Sequence, residues 1–295
     1  MKPGSCRAIV ENKRRYTLRR TDLPQCRSSI GVRLNVPKLE SPGLVLTAVG
    51  ITVLAVILLM PPLHQDVSYH SFADQRTIWN IPNFLNVASN LPFLAVGFLA
   101  LWFIEIQSRN RQIFLDPRER WSYWILFAGV SLTAVGSGYY HWAPDGDRLV
   151  WDRLPMAVSF MAFFAAMLSE RIKVDVGIWL LGPLVLLGVG SVVNWHWTND
   201  LRLYAAVQYY PLAIIPVMLW WCPPRYTGTG FIWGALGWYL LAKILELSAV
   251  DHGLFSLGHL VSGHPLKHLA AATGAFWIYL FLRNRRYCGQ WTALG

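Results

Sequence analysis

Two histidines, His264 and His268, stand four apart in "SGHPLKHLAA" (262–271), where an apolar stretch begins. Residues i and i+4 of a helix lie on one face about 6 Å apart, so the two rings can grip one ion if further ligands face them. A second group occurs in "GSGYYHWAPDGDRLVWDRLPM" (136–156), where Ser137 and His141 are again i and i+4 and Asp152 follows. Three imidazoles with one open position describe a catalytic zinc site, in which the ion lowers the pKa of a water toward about 7 and polarises a carbonyl. Asp152 then has a proton to take and pass to a leaving nitrogen, and Ser137 can donate to the oxyanion that develops. The chemistry this describes is amide hydrolysis. No HExxH occurs, which excludes a zincin arrangement.

These residues can meet only if the elements carrying them bring them to one depth. Of the 295 residues 54% are hydrophobic and 14% charged, and the mean hydropathy is +0.36, the profile of an integral membrane protein. Eight apolar runs have the length of a membrane-crossing helix: 44–62, 83–104, 122–142, 150–169, 176–194, 203–221, 230–248 and 264–282. The expected fold is all-α and polytopic, with an extra transmembrane helix (44–62) ahead of a seven-helix core (70–286). A basic, flexible tail (1–43) precedes them and a short one (287–295) follows. The loop between the third and fourth runs is short, so a helical hairpin draws Ser137 and His141 toward Asp152. His264 and His268 open the last run, and alternation of direction puts all five residues at the same end.

The formal net charge of +10 raises the question of nucleic acid. Threading the eight runs with the N-terminus inside segregates the basic residues, 20 inside against 4 outside (Arg76, Arg148, Arg153, Arg202), with Lys243 and Lys267 within helices or at their ends. The excess is a topology signal and an attraction to anionic lipid, which argues against a nucleic-acid partner. Both termini are expected in the cytoplasm and the site toward the outer leaflet. The first run is a retained anchor rather than a cleaved signal.

Ionisable groups inside apolar segments are costly, and few are present. Lys243 and Glu246 are three apart, an intrahelical ion pair facing the bundle interior, with Glu246 and Asp251 also candidates to support the metal ligands. His64, His70, His196, His252 and His259 fall in loops or at helix edges and are assigned no chemistry. Trp195, Trp197, Trp220 and Trp221 fall at helix ends, as an aromatic belt requires. Cys6, Cys26, Cys222 and Cys288 have no metal-ligand spacing and are expected as free thiols.

In combination, "NFLNVASNLPF" (83–93), Ser137-x3-His141 followed by "DRLPM" (152–156), and "GHPLKH" (263–268) resemble the alkaline ceramidases and their bacterial relatives. That family belongs to a superfamily shared with the adiponectin and progestin receptors. The resemblance spans most of residues 70–285. It implies a seven-helix core in a bacterial inner membrane, zinc on His141, His264 and His268, Asp152 activating water, Ser137 assisting, and support from Asn86 and Ser89. The implied substrate is a long-chain N-acyl membrane lipid such as ceramide, with no obligate protein partner evident. The other class open to such a core is a receptor with a structural or vestigial zinc, which needs neither Asp152 nor Ser137. Alkaline ceramidases also carry an acidic calcium-binding stretch before the first core helix. "ADQRTIWNIPNF" (73–84) offers only Asp74 with amides such as Asn83, which argues against a calcium site. Pro265 is expected to push His264 out of helical geometry.

Overall fold

The structure, a computed structural model, describes residues 42–288. Residues 1–41 and 289–295, with nearly all of both tails, lie outside the described residues. The chain folds into α1 (Pro42–Leu59), α2 (Phe84–Ala88), α3 (Leu91–Gln107), α4 (Arg120–Trp142), α5 (Gly146–Arg171), α6 (Val174–Thr198), α7 (Arg202–Trp221), α8 (Thr229–Leu245), α9 (Ser248–Ser256) and α10 (Gly263–Asn284). Among the described residues there is no strand, only isolated bridges. Four helical stretches among the described residues are long and apolar enough to cross a membrane: Phe84–Gln107, Gly146–Arg171, Val174–Thr198 and Arg202–Trp221. A fifth is reached if α8 and α9, bent by 74°, count as one span. This composition is compatible with an integral membrane protein.

The apolar runs and the helices coincide closely, with two differences. The run from 83 is two helices, α2 and α3, broken at Ser89 and Asn90. The run expected to continue to 248 stops at Leu245, because Glu246 ends α8 and Leu247 is extended. Periodicity reads the apolar content of such a stretch but not the polar side chains that pull its backbone aside.

α5 sits at the centre, packed on α4, α6 and α7, while α10 packs on α8, α3 and α9 and α1 leans on α7. The hairpin of α4 and α5 is tight because Asp145 caps α5, its carboxylate accepting from the Arg148 amide at 2.7 Å. It is also tight because residue 136 is glycine. A Cβ there would stand 2.0 Å from the Trp151 carbonyl oxygen and 3.4 Å from the Asp152 amide nitrogen. Only a bare Cα lets α4 approach Asp152 this closely, and Ser137 and His141 follow on the same helix.

At the opposite end the helices are tied by a buried charge network. Arg285 is fully buried; it donates to Glu170 and, at 2.8 Å, to the Ile113 carbonyl, lies 3.9 Å from Glu119, and sits 4.2 Å from the Tyr226 ring centroid. Tyr123 donates to Glu170 as well, and Tyr226 donates to Glu119 at 2.5 Å. Removing the one cation that both carboxylates share leaves buried charge uncompensated. Arg285→Met is therefore expected to destabilise the protein by about 3–5 kcal/mol, read as a lowered midpoint of thermal unfolding in detergent.

The expectation of free thiols holds for Cys222, which is free and buried, and fails for Cys288, which is disulfide-bonded. Pairing depends on the approach of two Cβ atoms in space, which sequence spacing does not encode. Cys6 and Cys26 lie outside the described residues.

Candidate metal centre

His141 ends α4, while His264 and His268 occupy the first two turns of α10; all three are buried, at 0%, 5% and 4% exposure. One ring nitrogen from each falls within 4.8 Å of the others, and the Nε2 atoms of His141 and His264 are 3.3 Å apart. Three buried imidazoles converging in this way can hold a metal ion.

The starting turn of α10 is built to present its histidines. Asp251 of α9 accepts the His264 amide at 2.7 Å on Oδ1 and the Ala73 amide at 3.1 Å on Oδ2. Asp251 thus fixes the backbone of a ligand rather than its ring. Gly263 permits the docking: a Cβ there would lie 2.6 Å from the Leu245 carbonyl and 2.9 Å from the Asp251 Cα. The structure corrects the expectation about Pro265. His264 is inside α10, because a proline in the first turn lacks only an N–H that would have no intrahelical partner, and Asp251 engages the free amide of His264.

Around the rings, Ser89 Oγ is 2.8 Å from His268 Nδ1 and 3.2 Å from the Asn86 carbonyl. A carbonyl only accepts, so the Ser89 proton goes to Asn86 and the Ser89 oxygen accepts from Nδ1–H. That tautomer leaves Nε2 of His268 bare, as a metal ligand needs. Asn86 is itself fully buried and donates to the Asp74 carbonyl at 3.1 Å. Ser89→Ala removes this hold without removing a ligand. It is expected to weaken metal affinity about 10–100-fold, measured by competition with a chromophoric chelator.

Asp152 is buried in the second turn of α5 at 6% exposure. Ser137 and the charges of Lys267, Arg153 and Glu246 bear on its carboxyl. Glu246 contacts none of the imidazoles through a hydrogen bond; it pairs with Lys243 at 2.6 Å and Lys267 at 3.2 Å and accepts from Tyr69 at 3.3 Å. The intrahelical pair is present, and a second lysine from α10 joins it. Asp74 is engaged by Arg76 at 2.6 Å. Burial acts to raise its carboxyl, but the Arg76 hydrogen bonds and charge hold it below the ordinary value.

Sequence reasoning missed Phe72, whose ring centroid lies 4.8 Å from that of His141 and 4.6 Å from that of His264, and which walls the site. It also missed Asn83 as a clamp on the His141 carbonyl at 2.9 Å. No signal marks either, since both come from an irregular segment. Lys267 did carry a signal, a cation one residue before His268 inside an apolar run. On the far side, Phe93 touches the His268 ring edge at 6.5 Å between centroids and lines an apolar cavity of about 130 Å³ with Met156, Phe160, Phe163, Ile215 and Ala275.

Fold and site together define an all-helical protein with apolar helices of membrane-crossing length and a buried three-histidine group able to hold a metal ion. No family model matches the chain, and no curated protein matches it.

Proposed function

We propose that the protein is a zinc-dependent intramembrane hydrolase that cleaves the amide bond of ceramide-like N-acyl lipids to a fatty acid and a sphingoid base. The observation that carries this reading is the convergence of three buried imidazoles, one of which, His268, meets Phe93 in the wall of an apolar cavity. A buried three-histidine group near a cavity lined by Phe and Met suits an amphiphile whose polar linkage would sit at a bound ion and whose chain would fill the apolar space. The donor set fits zinc. Two nitrogens each about 2.0–2.1 Å from one tetrahedral ion are about 3.3 Å apart, and His141 and His264 stand at 3.3 Å. Neutral imidazoles suit zinc better than calcium or magnesium.

Zinc, when bound, supplies Lewis acidity to a carbonyl and to a water. Asp152 is the group on this chain fitted to take a proton from the water and return it to the leaving nitrogen. Ser137 follows Gly136, where α4 meets the backbone of Asp152, and is the hydroxyl placed to act on that carboxylate. Ser137 also lies one helical turn from His141, and rotation of its hydroxyl would aim the donor at an oxyanion. Phe72 and Phe93 keep bulk water from the rings.

The proposed core counts α2 with α3, α4, α5, α6, α7, α8 and α10 as seven spans, with α1 outside it. α4 and α10 have 23 and 22 residues, about 33 Å each, enough for a hydrocarbon core of about 30 Å. The proposed setting is a bacterial inner membrane with both termini cytoplasmic and the site toward the outer leaflet, supported by the 20 to 4 charge asymmetry.

The test is incubation of purified protein with N-acyl sphingoid lipids of several chain lengths in detergent. Release of free fatty acid and amine is expected. A protein that binds these lipids and cleaves none across the panel is a receptor, and the hydrolase reading falls.

A further inference from the structure

Arg153 differs from Arg285, the fully buried arginine at the opposite end of the bundle. Arg285 is surrounded by carboxylates, whereas Arg153, 5% exposed, forms no salt bridge with a carboxylate among the described residues. Its guanidinium lies 4.0 Å from the Trp195 ring centroid, 4.9 Å from that of Tyr204 and 5.5 Å from that of Tyr69, and it donates to Gln65 Oε1 through Nη2. Nη1 is buried and has no hydrogen-bond partner. The same is true of Nε1 of Trp195, which is 4% exposed. The expectation that Trp195 belongs to an interfacial belt therefore fails. Trp197, at 79% exposure, fits a belt, but Trp195 turns inward onto the arginine.

Two touching side chains thus turn N–H donors, one of them cationic, into the interior with no acceptor to meet them. Buried donors and buried charge are both costly when left so. The group that satisfies both accepts only and carries negative charge, and a guanidinium is matched in shape to oxyanions. The aromatic wall of Tyr69, Trp195 and Tyr204 leaves no carboxylate to attract a cation instead. Asp152, next in the chain, forms no ion pair with Arg153 among the described residues. Arg153 lies in the second turn of α5, Trp195 in the last turn of α6 and Tyr204 in the first turn of α7, so all three stand at one end of the bundle. In a membrane that is the depth of the headgroups, where the abundant oxyanion is lipid phosphate.

From this juxtaposition we infer that Arg153 and Trp195 form an anion site that holds the phosphate of a lipid headgroup, separate from the three-histidine group and independent of any metal there. The full chain, purified in detergent, is incubated with dilauroyl phosphatidic acid or with dilauroylglycerol, which lacks only the phosphate, and lipid retention is read by native mass spectrometry. Wild type is expected to retain the phosphatidic acid at least about tenfold better, a preference that Arg153→Gln abolishes. Trp195→Phe keeps a ring under the guanidinium and removes only the N–H, so it is expected to lower the preference severalfold, and it decides the matter if Arg153→Gln does not fold. Equal retention of the two lipids by wild type, or an unchanged preference in Trp195→Phe and Arg153→Gln, overturns the site. Displacement of the lipid by an equal concentration of inorganic phosphate overturns the assignment to a headgroup.

Discussion

Asp152→Asn is expected to keep its full complement of metal while amide hydrolysis falls about 10²–10⁴-fold, the range for loss of a general acid–base group. The metal is kept because the three nitrogens that converge come from His141, His264 and His268, none of which the substitution touches. Asn has nearly the volume of Asp, so the close contact of α4 and α5 at Gly136 is undisturbed. What is lost is a basic oxygen. Ser137→Ala is expected to fall less, by at most roughly 3–4 kcal/mol of transition-state stabilisation, since a bound metal still polarises the carbonyl. Steady-state release of fatty acid, with zinc content measured on the same samples, checks both.

The second large effect falls on the histidines of α10. His264→Ala and His268→Ala are each expected to reduce zinc from about one ion per chain to a trace after dialysis, because two imidazoles do not complete a stable zinc site. Hydrolysis falls with the metal. The fold survives His264→Ala, since Asp251 holds the backbone amide at this position and not the ring. Elemental analysis together with circular dichroism separates loss of metal from loss of structure. Zinc unchanged in either variant would remove that residue from the ligand set.

The residues brought together here were readable in the chain to an unequal degree. His264 and His268 were legible because a helical face has a fixed repeat, and His141 because a short hairpin limits where α4 can end relative to α5. Asp152 and Ser137 were legible as ionisable or hydroxyl groups at the same end of that hairpin. The helices were legible from apolar length, which backbone hydrogen bonding in a membrane enforces. Roles set by backbone atoms were not. Asp251 was a candidate to support the site, but nothing in its position says that it grips the His264 amide, and Asn83 on the His141 carbonyl has no repeat to reveal it. Phe72 reaches the rings from an irregular segment, where direction is set by tertiary contacts. The inward turn of Trp195 was hidden for another reason. A tryptophan at a helix end looks the same in sequence whether it faces lipid or stacks on an arginine, and only the packing of α5 against α6 decides.

The most direct test of the central claim is metal removal and return in one preparation. Wild-type protein in detergent is stripped with a chelator, dialysed, and assayed for fatty-acid release from an N-acyl sphingoid lipid before and after one equivalent of zinc is added. The account predicts no release from the stripped protein and recovery on addition of zinc, with no recovery in His268→Ala. Undiminished release from protein shown to be free of metal, or recovery by zinc in His268→Ala equal to that of wild type, would contradict it.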